Sequence, residues 1–149
     1  MTAEPRRNQG LEDSPDYFWE RFSAYAGRLA IGPEPTGSPM LELITPFGPL
    51  YTFDRGLVPV SGGSAEVLLH GQVEQWSQAE GEPRVQYIGQ GRYELSGQVE
   101  ELPGGTFFVL RVDEGPASLR FLLSSSNPPT RGAQVTARLA PPLMSFRAP

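Results

Sequence analysis

The stretch that most constrains this fold is residues 91–124, which contain three strand-like segments separated by two short turns. Apolar and polar side chains alternate along each segment, as they do in a half-buried strand. Pro103-Gly104-Gly105 and Glu114-Gly115-Pro116 lie between the segments and have the composition of tight turns. The pattern predicts a three-stranded antiparallel meander, with strands at 92–102, 106–113 and 117–124.

Successive side chains point to opposite faces of a strand, so each predicted strand divides into two sets. One set is apolar and predicts a core face: Tyr93, Leu95, Val99, Phe108, Leu110, Val112, Leu119, Phe121 and Leu123. Gly97 falls on this face without a side chain, which indicates a bulge or a sharp bend. The other set mixes charged and apolar side chains: Arg92, Glu94, Gln98, Glu100, Phe107, Val109, Arg111, Arg120 and Leu122.

Composition limits the class of protein. The chain has 149 residues, enough for one domain with a real core, and its 17 glycines and 16 prolines predict short strands and many turns. It contains no cysteine, which excludes disulfides and thiolate metal sites. No apolar run approaches the ~20 residues of a membrane span, and the N-terminus lacks a signal-peptide pattern. We therefore expect a soluble cytoplasmic protein with no membrane contact.

Charge is distributed unevenly along the chain, whose net charge is -5. Residues 1–83 contain 12 acidic and 5 basic side chains, whereas residues 84–149 contain 5 acidic and 7 basic ones. Every basic residue is an arginine, which reflects either a genomic codon bias or a preference for contacts with phosphates and bases. The overall negative charge argues against a nucleic-acid partner, but residues 84–149 carry a net charge of +2, from 7 basic and 5 acidic side chains.

The N-terminal part is predicted to form one helix. Residues 1–13 lack periodicity and are predicted to be a disordered tail. Ser14, Pro15 and Asp16 form a helix-start pattern, so we expect a helix at 14–30, followed by a linker at 32–39. The apolar stripe of this helix contains Phe18, Phe22, Tyr25 and Leu29, with Trp19 at its edge. This stripe either covers the sheet or docks onto a partner.

Further strands are predicted at 40–44, 50–53, 65–76, 84–88 and 133–139, and residues 57–60 and 143–146 are predicted to be extended. Pro141-Pro142 is expected to end the last strand or to place it at a sheet edge. Gly-Gln-Val-Glu occurs twice, from Gly71 and from Gly97. The repeat is either chance or a sign of two strands with the same role, adjacent in one sheet. Residues 14–149 are assigned to a single domain.

A glycine-bearing strand, a tight meander, a loop and a closing strand with the sequence RGAQVTARL follow one another within residues 65–147. In this order of strands and turns, the segment resembles an OB-fold barrel. OB-folds usually carry a helix between their third and fourth strands, and residues 124–130 are too short and proline-rich for one. The N-terminal helix is the alternative cap. An SH3-like barrel or an antiparallel sandwich fits the same pattern. The expected fold class is mainly β, an antiparallel small β-barrel with one N-terminal helix.

No residue pattern predicts catalysis or a cofactor. His70 is the only histidine, and a lone histidine beside an apolar run is expected to be structural. Glu100 and Glu101 are strand neighbours that point to opposite faces, as are Asp113 and Glu114, so neither pair forms a two-carboxylate site. The glycine pairs lack the helix and lysine of a phosphate-binding loop. We expect no enzyme activity, no metal and no cofactor.

The second face of the meander carries the functional hypothesis. Arginines beside an exposed aromatic ring are typical of single-strand binders, which combine charge along the backbone with base stacking. The predicted nucleic-acid-binding residues are Arg92, Phe107, Arg111, Arg120 and Arg138, extended by Tyr87 and Trp76. In the alternative arrangement, Phe107, Val109 and Leu122 form a second buried layer and the arginines pair with Glu94 and Glu100.

Two functions therefore remain open. The first is binding of single-stranded DNA or RNA, which strong salt dependence would mark. The second is a protein-interaction or assembly role, with a partner protein or as a homo-oligomer. In that case the acidic first half and Phe18, Trp19 and Phe22 would make the contacts.

Overall fold

A computed structural model of the chain describes residues 14–33, 39–56, 62–79 and 81–148. Within them lie helix α1 (Pro15–Phe22), a 3-10 turn (Ser23–Tyr25) and nine strands. The strands are β1 (Gly27–Ile31), β2 (Met40–Thr45), β3 (Gly48–Asp54), β4 (Ser64–Gln78), β5 (Arg84–Gly89), β6 (Arg92–Gly104), β7 (Phe107–Glu114), β8 (Ala117–Ser124) and β9 (Gln134–Arg147). The fold is mainly β with one short N-terminal helix, as predicted. The predicted tail at 1–13, most of the linker and the segment at 57–60 lie outside the described residues.

The helix is shorter than the sequence predicted. It begins after Ser14, whose side chain makes no capping hydrogen bond, and ends at Phe22 instead of near residue 30. Gly27–Ile31 forms β1 because Leu29 and Ile31 alternate into the sheet core and the strand pairs with both β2 and β4. The predicted helical stripe is therefore wrong at Leu29, which belongs to a strand.

The strands form one sheet in which two closed rings share the long pair β4–β9. In the first ring, β6, β7 and β8 form the predicted meander, β9 pairs with β6, and β4 pairs with β8. In the second ring, β1, β2 and β3 return to the same pair through β1–β4 and β3–β9. β5 extends the sheet beside β6. The expected antiparallel arrangement is wrong in two places, because β4–β8 and β3–β9 are parallel.

The predicted core face is confirmed. All nine apolar residues assigned to the inner face of the meander are buried, and so are Val135, Ala137 and Leu139 of β9. They form one cluster with buried residues of the second ring, among them Leu41, Leu43 and Leu50. A single hydrophobic core therefore passes through both rings, and each fully buried side chain of this kind contributes ~1.5–3 kcal/mol.

Gly71 and Gly97, which open the two Gly-Gln-Val-Glu copies, lie where the long strands approach their neighbours most closely. A Cβ at Gly97 would overlap the carbonyl oxygen of Arg111, and one at Gly71 would crowd Leu139. The two strands that carry them are not adjacent, because β9 lies between β4 and β6 and pairs with both. They share a role in part, since each pairs with β9. Only Gly97 faces backbone that leaves no room for a Cβ, whereas at Gly71 the contact is with a terminal methyl group of Leu139.

β9 continues through Pro141-Pro142, where the sequence predicted an end or an edge. The bond between the two prolines is cis. Proline has no N–H to donate to a strand ladder, and the register between β9 and β4 shifts at this point, from Ala140 to Met144. The residues that follow pair with β4 and with the end of β3.

Candidate functional site

The outer face of β7 and β8 carries a second buried layer. Phe18 and Phe22 of α1 pack against Phe107, Val109 and Leu122, and none of the five is more than 5% exposed. The ring centroids of Phe22 and Phe107 lie 4.8 Å apart. Phe107 therefore cannot offer an exposed ring to a base. The predicted open face is wrong at this residue, and the structure has the covered arrangement that the sequence left as the alternative.

The same packing changes the predicted partner-binding set. Phe18 and Phe22 are fully buried against the sheet, while Trp19 is half-buried at the edge of the same cluster. The aromatic stripe of α1 is thus used inside the molecule. The only large apolar side chain of α1 that is exposed is Tyr17, at 52%.

His70 lies inside this second layer. It is fully buried, and its Nδ1 lies 2.8 Å from the carbonyl oxygen of Leu122. The imidazole centroid is 5.0 Å from that of Phe18 and 6.1 Å from that of Phe107. This is a hydrogen-bonded position under the helix, without solvent contact, which matches the structural role expected for a lone histidine.

Three arginines form one charged group on β5, β6 and β9, together with Glu74 of β4. Arg92 Nη2 lies 3.0 Å from Glu74 Oε2, and Arg84 Nη2 lies 2.8 Å from Glu94 Oε1. Arg138 Nη2 lies 3.5 Å from the second oxygen of Glu94. The hydrogen bond from Arg92 lowers the pKa of Glu74, and that from Arg84 lowers the pKa of Glu94. Three guanidinium groups meet two carboxylates, so this group keeps one excess positive charge.

The other two predicted arginines form a separate group on β7 and β8. Arg111 and Arg120 stand opposite each other in the strand register. Glu100 lies between them, with carboxylate oxygens 3.6 Å from Arg111 and 3.0 Å from Arg120, and Asp113 lies 3.2 Å from Arg111. Two positive charges therefore meet two negative ones. The arginines that the sequence assigned to one face form two groups, and both are paired with carboxylates.

Trp76 and Tyr87, the predicted extensions of the platform, lie in different places. Trp76, together with Glu94 and Arg138, lines a hollow in the surface. Its indole N–H donates a 2.8 Å hydrogen bond to the carbonyl of Asn127. Tyr87 is 57% exposed and borders a groove on another part of the surface. The structure thus places Trp76, but not Tyr87, in the same hollow as a predicted arginine, Arg138.

Most of the exposed apolar side chains lie on a surface that sequence reasoning did not single out. Among the described residues, seven large apolar side chains are exposed, and four of them share the outer side of the β2–β3 hairpin. We call this surface the hairpin face, defined by Met40, Ile44, Pro49, Tyr51 and Phe53. The signal was present in the sequence, because both alternating sets of this hairpin are largely apolar, although one buried set is enough to build a core.

A groove of about 470 Å³ adjoins the hairpin face. It exists because β3 and β9 pair only at Phe53–Met144 and Asp54–Ser145 and are not paired toward Pro141-Pro142. We call it the tyrosine groove, and its lining consists of Met40, Pro49, Tyr51, Tyr87, Gly91, Tyr93, Pro141, Pro142 and Leu143. Tyr93 and Leu143 are buried and lie at its base.

The hydroxyl groups of the three tyrosines are held by specific hydrogen bonds. The Tyr93 hydroxyl accepts a 3.0 Å bond from the backbone N–H of Tyr51, and the Tyr87 hydroxyl accepts a 2.9 Å bond from that of Gly91. The Tyr51 hydroxyl donates to Glu42 at 3.2 Å. Burial raises the pKa of Tyr93, against the opposing effect of the bond from Tyr51, so its phenol is neutral at physiological pH. The groove thus combines apolar ring faces with hydrogen-bonded hydroxyl groups.

In residues 14–33, 39–56, 62–79 and 81–148, no cluster of three or more acidic or histidine side chains is placed to hold a metal ion. Neither helical segment of these ranges has the length and apolarity that crossing a membrane requires.

Comparisons of the chain with protein-family models, with curated proteins and with solved structures gave no match.

Proposed function

We propose that this protein is a non-catalytic binding module that holds a partner protein on the hairpin face and the adjoining tyrosine groove. The observation that carries the proposal is the concentration of exposed apolar side chains there: Met40, Ile44, Tyr51 and Phe53 on the hairpin, with Tyr87 across the groove. A contiguous apolar patch on an otherwise polar surface marks an interaction site. Aromatic residues and methionine are also the residues enriched at interfaces.

A protein partner was also expected from the sequence, but the residues proposed here to contact it are different ones. The sequence assigned that role to Phe18, Trp19 and Phe22, but the two phenylalanines stabilise the second buried layer instead. On the hairpin face, by contrast, Tyr51 is 47% and Phe53 is 37% exposed. Its central pair, Tyr51 and Glu42, combines an apolar ring with a hydrogen-bonding edge. Such a residue pair provides both contact area and orientation.

The test is affinity capture with the immobilised chain, followed by titration of the purified partner against variants in a calorimeter. Tyr51→Ser with Phe53→Ser removes two rings from the hairpin face without touching the core. Truncation of one buried interface aromatic of this type lowers the binding free energy by about 2 kcal/mol or more, which weakens the Kd roughly 30-fold. We expect at least that loss.

The matched control is Tyr17→Ser with Leu102→Ser, since these residues are exposed to a similar degree, 52% and 44%, and lie elsewhere. The control is expected to bind as the wild type does. A partner whose affinity is the same in both double variants would refute the proposal. A stable homodimer that separates only in the hairpin variant would show that the occupant is a second copy and not a different protein.

Single-stranded nucleic acid is a second candidate ligand, supported by the first ring and by the hollow at Trp76. In that ring the meander is closed by β9, antiparallel to its first strand, and by β4, parallel to its third. This connectivity is compatible with an OB-type barrel whose closing strand precedes the meander in the chain. Trp76 and Arg138 line one hollow there, beside the arginine group with an excess positive charge. Exposed ion pairs contribute only ~0–1 kcal/mol, so a phosphate can displace them.

Fluorescence anisotropy with labelled oligothymidylate, duplex DNA and RNA at two salt concentrations tests this candidate. If it is correct, single strands bind, and the logarithm of the affinity falls by about 0.7 per decade of salt for each phosphate neutralised. Arg138→Gln should weaken binding, whereas Arg28→Gln, an exposed arginine on β1, should not. Absence of binding at low salt would eliminate the candidate.

A further inference from the structure

Several residues that line the tyrosine groove offer no main-chain N–H to a peptide that would join the sheet as an added strand. Strand addition relies on a ladder of main-chain hydrogen bonds. Pro49, Pro141 and Pro142 line the groove and have no N–H, and the N–H of Tyr51 is already bonded to the Tyr93 hydroxyl. At these positions the carbonyl oxygens of a ligand find no main-chain donor and depend on donors from side chains.

What the groove presents instead is ring faces and hydroxyl donors. Tyr87 and Tyr93 each accept a hydrogen bond from a backbone N–H, and among the described residues no acceptor is found for either hydroxyl proton. Their rings meet edge to face, with centroids 5.3 Å apart. A complementary ligand offers flat apolar rings and hydrogen-bond acceptors and needs no donor partner.

A proline-rich segment has this chemistry. Proline lacks an N–H, and a polyproline II helix has no internal hydrogen bonds, so every carbonyl is available to a donor. The segment is extended before it binds, so it loses little conformational entropy, and aromatic-lined grooves recognise such segments for this reason. An added β-strand would need main-chain N–H donors, which Pro49, Pro141 and Pro142 do not have, and an amphipathic helix would bring a wider apolar face than this groove offers.

The charge at the groove indicates what flanks the prolines. None of the nine lining residues carries a formal charge, and the acidic side chain bonded to the lining is Glu42, through the Tyr51 hydroxyl. An arginine or lysine beside the prolines would meet this carboxylate. We propose that the tyrosine groove binds a proline-containing segment in the polyproline II conformation, with a basic residue placed at Glu42. This inference rests on the proposed function, because it names the kind of segment that the partner presents.

The test uses four fluorescent peptides of equal length with the full-length protein. The first peptide contains alternating prolines and one flanking arginine, and the second replaces that arginine with glutamate. The third and fourth keep the arginine but replace the prolines with Gly/Ser or with Val/Thr. We expect the basic proline peptide to bind most tightly, with a Kd in the range of roughly 10–500 μM that a small groove supports. In amide NMR spectra, its binding is expected to shift the resonances of Tyr51, Tyr87 and Gly91.

The variants separate ring contact from hydroxyl donation. Tyr87→Ala should weaken the basic proline peptide about tenfold or more, and Tyr87→Phe about fivefold, as expected for one lost hydrogen bond. Glu42→Gln should remove the preference for arginine over glutamate while leaving binding of the prolines. Tyr17→Ala, which removes an exposed tyrosine on α1, should change nothing.

The outcomes that overturn this inference are distinct from those that overturn the proposed function. Equal binding of the Val/Thr peptide, or no shift of groove amides with any peptide, refutes the polyproline ligand, even if Phe53→Ser still abolishes binding of the captured partner. Conversely, the proline peptide could bind in the groove while the hairpin-face variants leave the affinity of the captured partner unchanged. That result refutes the partner site and leaves the polyproline ligand standing. If Pro5→Ala with Arg6→Ala and Arg7→Ala shifts the groove amides without peptide, the occupant is the chain's own N-terminal segment and the proposal of a partner segment is wrong.

Discussion

Replacing Phe18 with alanine tests whether α1 holds the outer face of the meander closed. Phe18 is 0% exposed, and its ring centroid lies 4.3 Å from that of Phe146, 4.9 Å from Phe22 and 5.0 Å from His70. Truncation of a fully buried phenylalanine costs about 3–5 kcal/mol, because the transfer free energy is lost and a cavity remains. Since native domains are stable by only about 5–15 kcal/mol, this is a large fraction of the total.

The loss has an upper limit set by the helix itself. α1 has eight residues, and helices shorter than about 12 residues are marginal without tertiary contacts. If the Phe18→Ala helix detaches while the two rings stay folded, the loss in the free energy of unfolding cannot exceed what docking of the helix contributed. We therefore expect the lower end of the range, about 3 kcal/mol, together with loss of amide protection in α1 and not in the meander.

Urea unfolding followed by circular dichroism measures the first effect, and hydrogen exchange measures the second. Tyr17→Ala is the matched control, because the neighbouring side chain is 52% exposed and should change the free energy of unfolding by less than about 0.5 kcal/mol. If Phe18→Ala and Tyr17→Ala have the same small effect, the second buried layer does not stabilise the protein, and the argument for a covered Phe107 is wrong.

Three further predictions concern the sheet and its titrating groups. Gly97→Ala should destabilise the protein by about 1–3 kcal/mol in urea unfolding, because the added Cβ collides with the carbonyl of Arg111, and an unchanged midpoint would contradict the close approach. The raised pKa of Tyr93 predicts stability that is complete below pH 10.0 and falls as pH rises further; Tyr93→Phe should lose this alkaline decline in thermal melts. The lowered pKa of Glu94 predicts stability that is present above pH 4.5 and lost as pH falls below it, so Glu94→Gln should show a flatter acid dependence than the wild type.

The sequence predicted the meander closely because its information is local. Alternation along each strand assigned nine side chains to the core, and all nine are buried. The two turns could be placed because proline and glycine restrict or free φ at fixed positions, and Gly104, Gly105 and Gly115 do adopt positive φ. The strand at 40–44 and the hairpin return at 50–53 were found for the same reason.

Predictions failed where a residue's environment depends on distant parts of the chain. Leu29 fits a helical stripe equally well, and pairing of β1 with β2 and β4 decides that it lies in a strand. The separation of the arginines into two groups follows from the ring closure around β9, which brings Glu94 opposite Arg138.

For the strands other than β1, which was assigned to the helix, the sequence by itself determined which residues alternate between the two sides, and therefore that this chain folds as a β-rich domain. It could not determine which of two apolar faces remains exposed. In the meander the second face, with Phe107, is covered by α1, whereas in the β2–β3 hairpin the second face, with Phe53, stays open. Both faces look alike in sequence, because alternation reports only the side of the strand. Coverage depends on where a helix distant in sequence docks, and only the tertiary structure decides that.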